Sequence, residues 1–374
     1  MTASSSPKCS QLFEQLCRIP SPSLREAAVG DFVKAELDRL GIAWREDAAA
    51  SAVGGDCGNL ICRVNGKRDA PPVIVCAHLD TVPPGDLIEP VCRDGRWENS
   101  ADGILGADNK AAVASVLAAL SEWAEDPPEV DVIAIFTVAE EISLLGAKEL
   151  DFALLDAQAA FFFDHPTPIG TVIDSSPSHH TIELEFTGQA AHAGVAPEEG
   201  ASAIKAASTA VSLYPSGRID EGTTSNIGLI AGGTAINVVP EHCRVIAEVR
   251  SSDPASLTRE TQTLIEAAHE AAGQHGCSAD VVVRPSFKGY HHAHGHRAVR
   301  IAEAALTTLG IGTTRIASAG GSDANVFEDH GIPSVNLGDG SSGTHTSEEA
   351  IADDDLVRLV EVIKHIPASA LALD

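Results

Sequence analysis

The sequence predicts an α/β protein, with a central mixed β-sheet flanked by helices and a separate β-α-β-β-α-β domain inserted into it. Three observations carry this expectation. Residues 73–77, 132–139 and 159–163 are short, almost wholly apolar runs, the pattern of strands covered on both faces. Between the first two, Val113, Val116, Leu117 and Leu120 recur at i, i+3, i+4 and i+7, which makes a strand–helix–strand unit. Across residues 181–290 the elements then follow the order of a split βαβ sandwich.

Taken in order, Leu12, Phe13 and Leu16, then Val29, Val33, Leu37 and Leu40, recur at helical spacing and predict two N-terminal helices. Ser23 and Glu26 read as an S-x-x-E capping box for the second helix, and Gly41 as its stop. After the three buried strands, residues 181–186 alternate as a strand, 201–213 form a helix, and 226–230 and 243–249 are strands. Leu257, Thr261, Leu264, Ile265 and Ala268 mark another helix, followed by a strand at 279–283. The chain returns to a helix at 298–309, a strand at 334–337 and a C-terminal helix carrying Leu356, Leu359, Val360 and Ile363. The expected division is a first domain in two parts, 1–178 and 291–374, around an inserted domain at 179–290.

A chain of 374 residues exceeds one ordinary core, since domains run to roughly 100–200 residues. With 53 acidic against 25 basic side chains the formal charge is −28, which repels phosphate backbones and anionic bilayers and excludes nucleic acid and membrane surfaces as partners. Residues 1–10 lack the basic-then-apolar pattern of a signal peptide. There is also no apolar run of about 18 residues, so the expected location is the cytoplasm. Eight cysteines without a C-x-x-C pair predict free, mostly buried thiols.

His78 ends the first apolar run, an imidazole at a strand end whose second nitrogen needs an orienting group, and Asp80 stands two residues on. Asp108 lies just before the Val113 helix, where its local reading is an N-cap. Glu140 and Glu141 follow the second apolar run, Asp164 follows the third, and His345 stands in a later loop. Three of these positions terminate buried strands, and open α/β sheets bind ligands beyond the carboxyl ends of their strands. A set of imidazoles and carboxylates suits zinc, cobalt or manganese.

Together, His78-Leu79-Asp80-Thr81, Gly106-Ala107-Asp108-Asn109-Lys110, Ala139-Glu140-Glu141 and Gly343-Thr344-His345-Thr346 resemble the peptidase T branch of the co-catalytic zinc metallopeptidases. That family also includes carboxypeptidase G, aminoacylases, acetylornithine deacetylase and succinyl-diaminopimelate desuccinylase. The resemblance spans nearly the whole chain. It implies a zinc-peptidase-like catalytic domain with an inserted ferredoxin-like lid and dimerisation domain. It implies two divalent ions, zinc with cobalt or manganese as alternatives: one on His78, Asp108 and Asp164, the other on Asp108, Glu141 and His345. By the same resemblance Asp80 orients His78, Glu140 is the general base, and His192 serves the metals of a partner subunit in a homodimer. Asn237, Arg250, Gly321, Ser322 and Asp323 match segments that line the substrate site in relatives.

The implied activity is hydrolysis of the amide bond of a small peptide. The alternatives are an N-acyl amino acid deacylase of the same family and a catalytically inactive binding protein. One departure from the family is His165, directly after Asp164, where a smaller residue is usual and where the imidazole is expected to crowd the pocket. The cluster His291, His292, His294 and His296 raises another metal site as a lesser alternative, and reads first as an exposed loop returning from the inserted domain.

Overall fold

The computed structural model describes residues 6–373. Residues 1–5 and Asp374 lie outside it, and with them half of the polar N-terminal stretch and the outermost ends of the 1–178 and 291–374 segments. The chain forms two compact units: one contains residues up to Asp174, His291–Ser318 and the chain from Ser322 onward, the other Ser175–Tyr290 with Ala319–Gly321.

The first unit is built on a mixed sheet flanked by helices. Six of its strands lie in the order Trp44–Glu46, Leu60–Val64, Val132–Thr137, Val73–His78, Ala159–His165, Ser334–Gly338. Val73–His78 runs parallel to both of its neighbours, and Ser334–Gly338 parallel to Ala159–His165. Leu60–Val64 is antiparallel to Val132–Thr137. Every residue of Val73–His78 and Val132–Thr137 is buried, which is why these strands show no polar alternation.

Helix Ala107–Trp123 packs on Val73–His78 and is covered in turn by helices Ser6–Cys17 and Asp353–Ala372. It is buried nearly all round, and its run of alanines lets sheet and helices approach it closely on every side. The consequence for function is positional. Four neighbouring parallel strands end at the same edge, so side chains at their carboxyl ends come together although they are far apart in sequence.

In the second unit the order is strand Ser178–Thr187, helix Ala203–Leu213, strands Thr223–Gly232 and His242–Ser251, helix Pro254–Gln274 and strand Ser278–Phe287, with a two-residue strand at Gly217–Arg218. The four long strands pair antiparallel with Ser178–Thr187 and His242–Ser251 at the centre. Ile182, Leu184, Phe186, Val245 and Val249 point to one face and form a closed core with Leu264 and the alanines of both helices. Asp253 caps its helix by accepting from the amides of Ala255 and Ser256, with Pro254 in the first turn.

The capping box expected at Ser23 and Glu26 does not form. Helix Ala27–Leu40 ends at Gly41, whose φ of 68° requires glycine's freedom, but no side chain caps its start. Ser23 Oγ donates instead to Asp80 Oδ2 at 2.7 Å, and Glu26 Oε1 accepts the amides of Leu24 at 2.9 Å and Ala139 at 3.0 Å. Both side chains are drawn to the strand ends, where buried groups needed partners more than a helix start did. All eight cysteines are free, and only Cys92 is exposed. Among the described residues no helix is long and apolar enough to cross a membrane.

Candidate metal centre

His78 is the last residue of its strand, Asp164 the penultimate residue of the neighbouring strand, and Glu140 and Glu141 follow the strand on the other side. Asp108 comes from the start of the buried helix and His345 from the loop beyond Ser341–Ser342. All six belong to the first unit.

His78 Nε2 faces two carboxylates, Asp108 Oδ1 at 3.1 Å and Asp164 Oδ1 at 3.4 Å. His345 Nε2 also faces two, Glu141 Oε1 at 3.2 Å and Asp108 Oδ2 at 3.3 Å. Asp108 thus gives one oxygen to each imidazole. A ring nitrogen carries at most one hydrogen and cannot satisfy two acceptors well. Two ligands bound about 2.0–2.1 Å from one tetrahedral ion lie roughly 3.4 Å apart. Candidate ligand atoms of His78, Asp108 and Glu141, and of His78, Glu140 and Asp164, lie within 4.8 Å of one another. Donor type, spacing and the excess of carboxylates therefore fit divalent cations.

The supports are as specific as the cluster. His78 Nδ1 lies 2.9 Å from the backbone carbonyl of Asp80 and 3.4 Å from its carboxylate, so the carbonyl is the nearer acceptor. The Asp80 carboxylate mainly holds the neighbouring strand end: Oδ1 accepts the Glu140 amide at 2.9 Å and Oδ2 the Glu141 amide at 3.2 Å. Asp108 does not act as an N-cap. Its backbone leaves the helical region, at φ −80° and ψ 103°. Its amide donates to Glu349 Oε1 at 2.9 Å, while Glu349 Oε2 takes the amides of Leu105 and Gly106. Lys110 is fully buried, and its ammonium donates to the Ile19 carbonyl at 2.6 Å. Asn336 clamps Asp164 from the next strand, accepting its amide at 3.0 Å and donating to its carbonyl at 2.9 Å. Neither Glu349 nor Asn336 was singled out in the sequence.

Residues 74–369 match the profile of peptidase family M20/M25/M40. The chain belongs to this family. It is 37% identical to the uncharacterized protein YqjE of Bacillus subtilis over 94% of this chain and 95% of that one. Among solved structures it is similar to aminopeptidase PepT of Bacillus cereus, with a TM-score of 0.84 and 34% identity over 98% of this chain and 99% of that one. It is also similar to a tripeptidase of Staphylococcus aureus, with a TM-score of 0.89 and 32% identity over the same shares, 98% and 99%. Membership makes the chain a hydrolase of the metallopeptidase class.

The remaining candidates of this family member lie as follows. In the second unit, His192 is exposed, and its Nδ1 accepts the amides of Gly194 and Val195, both at 3.1 Å. Asn237 is exposed and its carbonyl accepts the amide of Ala193 at 3.0 Å. Arg250 is paired with Glu248 at 3.1 Å. Gly321 leaves no room for a side chain, since a Cβ there would collide with the Phe287 ring. In the first unit, Ser322 caps helix Asp323–Asp329 through a box with Asn325. Asp323 is buried and accepts from Thr137 Oγ1 at 2.6 Å. His165 Nδ1 turns onto Thr167 Oγ1 at 3.1 Å.

Burial sets the protonation of the cluster against its own charges. For Asp108 burial favours the neutral form, but the bonds to His345 and His78 prevail and hold the carboxyl below its ordinary range. His345 is pushed up to about 10 by its bonds to Asp108 and Glu141. Asp164 is raised from 3.8 to about 7, mainly by burial with the charges of Asp108 and Glu141 adding to it. Glu140 is raised well above its ordinary range by burial and by the charge of Asp164.

In the metal-free protein, folded Asp164 therefore holds its proton where the unfolded chain has released it. Its contribution is fully present below about pH 4 and is lost as the pH rises through about 7. Urea denaturation of chelator-treated protein should show a fall in stability across this range, and Asp164→Asn should make it shallower, the remainder belonging to Glu140, Glu26 and Asp323, which burial also raises. An Asp164→Asn profile that keeps the parent's pH slope refutes the assignment.

Proposed function

We propose that the chain hydrolyses an amide bond of small, unblocked peptides with two divalent cations, zinc being the best match to the donor set. One ion would rest on His78, Asp108 and Asp164, the other on Asp108, Glu141 and His345. The supporting observation is that each of two imidazole nitrogens meets two carboxylates, with Asp108 common to both pairs. When bound, such a pair of ions polarises a substrate carbonyl and lowers the pKa of water.

Glu140 is the general base of this reading. Its amide is fixed by Asp80 and the residue is 8% exposed, so a buried carboxylate with high proton affinity stands beside the proposed ligands. It takes the proton of the attacking water and passes it to the departing amine nitrogen. General base catalysis of this kind is worth about 10²–10⁴ in rate.

His192 accepts two amide hydrogens at Nδ1, which fixes its own hydrogen on Nε2 and presents it outward as a donor. We assign that donor to the substrate carbonyl oxygen in a second copy of the chain, making the enzyme a homodimer through its second unit. Of the expected substrate contacts, exposed Asn237 fits best, because it is bonded to the segment that carries His192. A substrate carboxylate at Arg250 would compete with Glu248.

The similarity to an aminopeptidase and a tripeptidase favours peptides over N-acyl amino acids. An unblocked tripeptide should be cleaved faster than N-acetyl and N-succinyl amino acids by the zinc-loaded protein, and the reverse ranking overturns this choice. Glu140→Gln should lower turnover at least about 10²-fold with the zinc content of the parent; full activity removes Glu140 from the role. His192→Ala should stay folded and lose about 10²–10³ in kcat. Mixing it with inactive Glu140→Gln should restore part of the activity, because a mixed dimer pairs an intact Glu140 site with an intact His192. No recovery on mixing argues against service across subunits.

A further inference from the structure

The segment following the second unit carries His291, His292, His294 and His296, and the catalytic reading uses none of them. His291 and His294 are exposed, as expected of a loop, but His292 is buried and His296 is mostly so. One ring nitrogen from each of His292 and His296 lies within 4.8 Å of the other and of a carboxylate oxygen of Glu328, which comes from helix Asp323–Asp329. All three residues belong to the first unit.

His296 Nε2 stands 3.2 Å from Glu328 Oε1, a separation also found between His345 and Glu141. The second Glu328 oxygen accepts the Ser334 amide at 2.8 Å, which fixes the direction of the carboxylate. The two imidazoles are stacked face to face, with centroids 3.9 Å apart and 22° between their planes, so one ring must turn for both to face a shared ion. Two imidazoles and one carboxylate tethered by its other oxygen make a three-ligand set, the number of protein ligands found at open zinc sites.

We infer that His292, His296 and Glu328 bind a further divalent transition-metal ion, with zinc as the best chemical match. The ion joins the return loop to helix Asp323–Asp329. Through the Glu328 bond to Ser334 it also reaches the start of strand Ser334–Gly338, whose Asn336 clamps Asp164. Its role is to fasten these three segments. It depends on no residue of the catalytic cluster.

The test is zinc per chain by elemental analysis after dialysis of untagged protein against zinc. Glu328→Ala and His296→Gln should each hold one ion fewer than the parent, with circular dichroism showing a folded chain. Glu328→Gln, which keeps an acceptor for the Ser334 amide, covers the case in which Glu328→Ala does not fold and should bind the ion at least about tenfold more weakly. Asp108→Ala should retain the ion that Glu328 governs. If the Glu328 variants lose an ion while Asp108→Ala loses none, this site stands and the catalytic reading fails. Equal zinc in the parent and in all folded variants of the trio overturns the proposal. So does loss of the ion only in His291→Ala/His294→Ala, which would place it on the exposed imidazoles.

Discussion

The arrangement depends on a charge imbalance. Asp108, Glu140, Glu141 and Asp164 gather at the end of one sheet, where the imidazoles of His78 and His345 each face two carboxylates. Two like charges about 4 Å apart repel by roughly 4 kcal/mol at an effective dielectric near 20. Removal from water adds to that cost. A protein has two ways to tolerate such a cluster: keep some carboxyls protonated, or bring in positive charge. The raised proton affinities of Asp164 and Glu140 are the first way. Divalent ions would be the second, and they would leave the same carboxylates free to serve as the proposed ligands and base.

Backbone amides rather than cationic side chains hold the cluster in place. Asp80 takes the amides of Glu140 and Glu141, Glu349 those of Leu105, Gly106 and Asp108, and Glu26 that of Ala139. Each supporting carboxylate sits behind the ligands and gathers a loop by its own N–H groups. An arginine or lysine there would neutralise the ligands it was meant to support. The buried Lys110 is consistent with this rule, since it is spent on the Ile19 carbonyl and not on a carboxylate.

The strand-end residues were legible because their cause is local: apolar runs at 73–77, 132–139 and 159–163 announce buried strands, and a polar residue at the end of each stands out. The order of elements in the second unit was legible for the same reason, through alternation and helical spacing. Ser23 and Glu26 were misread because a capping box and a pair of long-range acceptors look alike in sequence. The choice between them is made by Asp80 and Ala139, more than fifty residues away. Glu349 left no signal, since its three partners lie more than two hundred residues earlier. Asn336 did leave one, a lone amide in an apolar strand, and buried polar groups ask for partners. The metal reading of His292 and His296 ranked behind a solvated loop because their carboxylate, Glu328, stands on a separate helix 32 residues beyond His296.

Local backbone bonds explain how the turn after Ala139 tolerates an unfavourable backbone. Ala139, at φ 53°, precedes the Glu140-Glu141 pair, and His345, at φ 65°, is a proposed ligand; Ser143 and Leu144 between them in sequence also have positive φ. Non-glycine residues pay about 1–2 kcal/mol for this region. The turn after Ala139 is over-determined by amides of Leu144, Leu145 and Gly146 donating back to Glu140, Ala139 and Val138 at 2.8, 3.0 and 3.0 Å. Folding thus pays the cost of aiming these side chains before any cation arrives. An ion that enters finds ligands already turned toward it, and less of its binding energy goes into ordering the loops. Ions that bind the folded chain and not the unfolded one return that cost as stability, so the strain, the buried charge and the ligand geometry are terms of one balance.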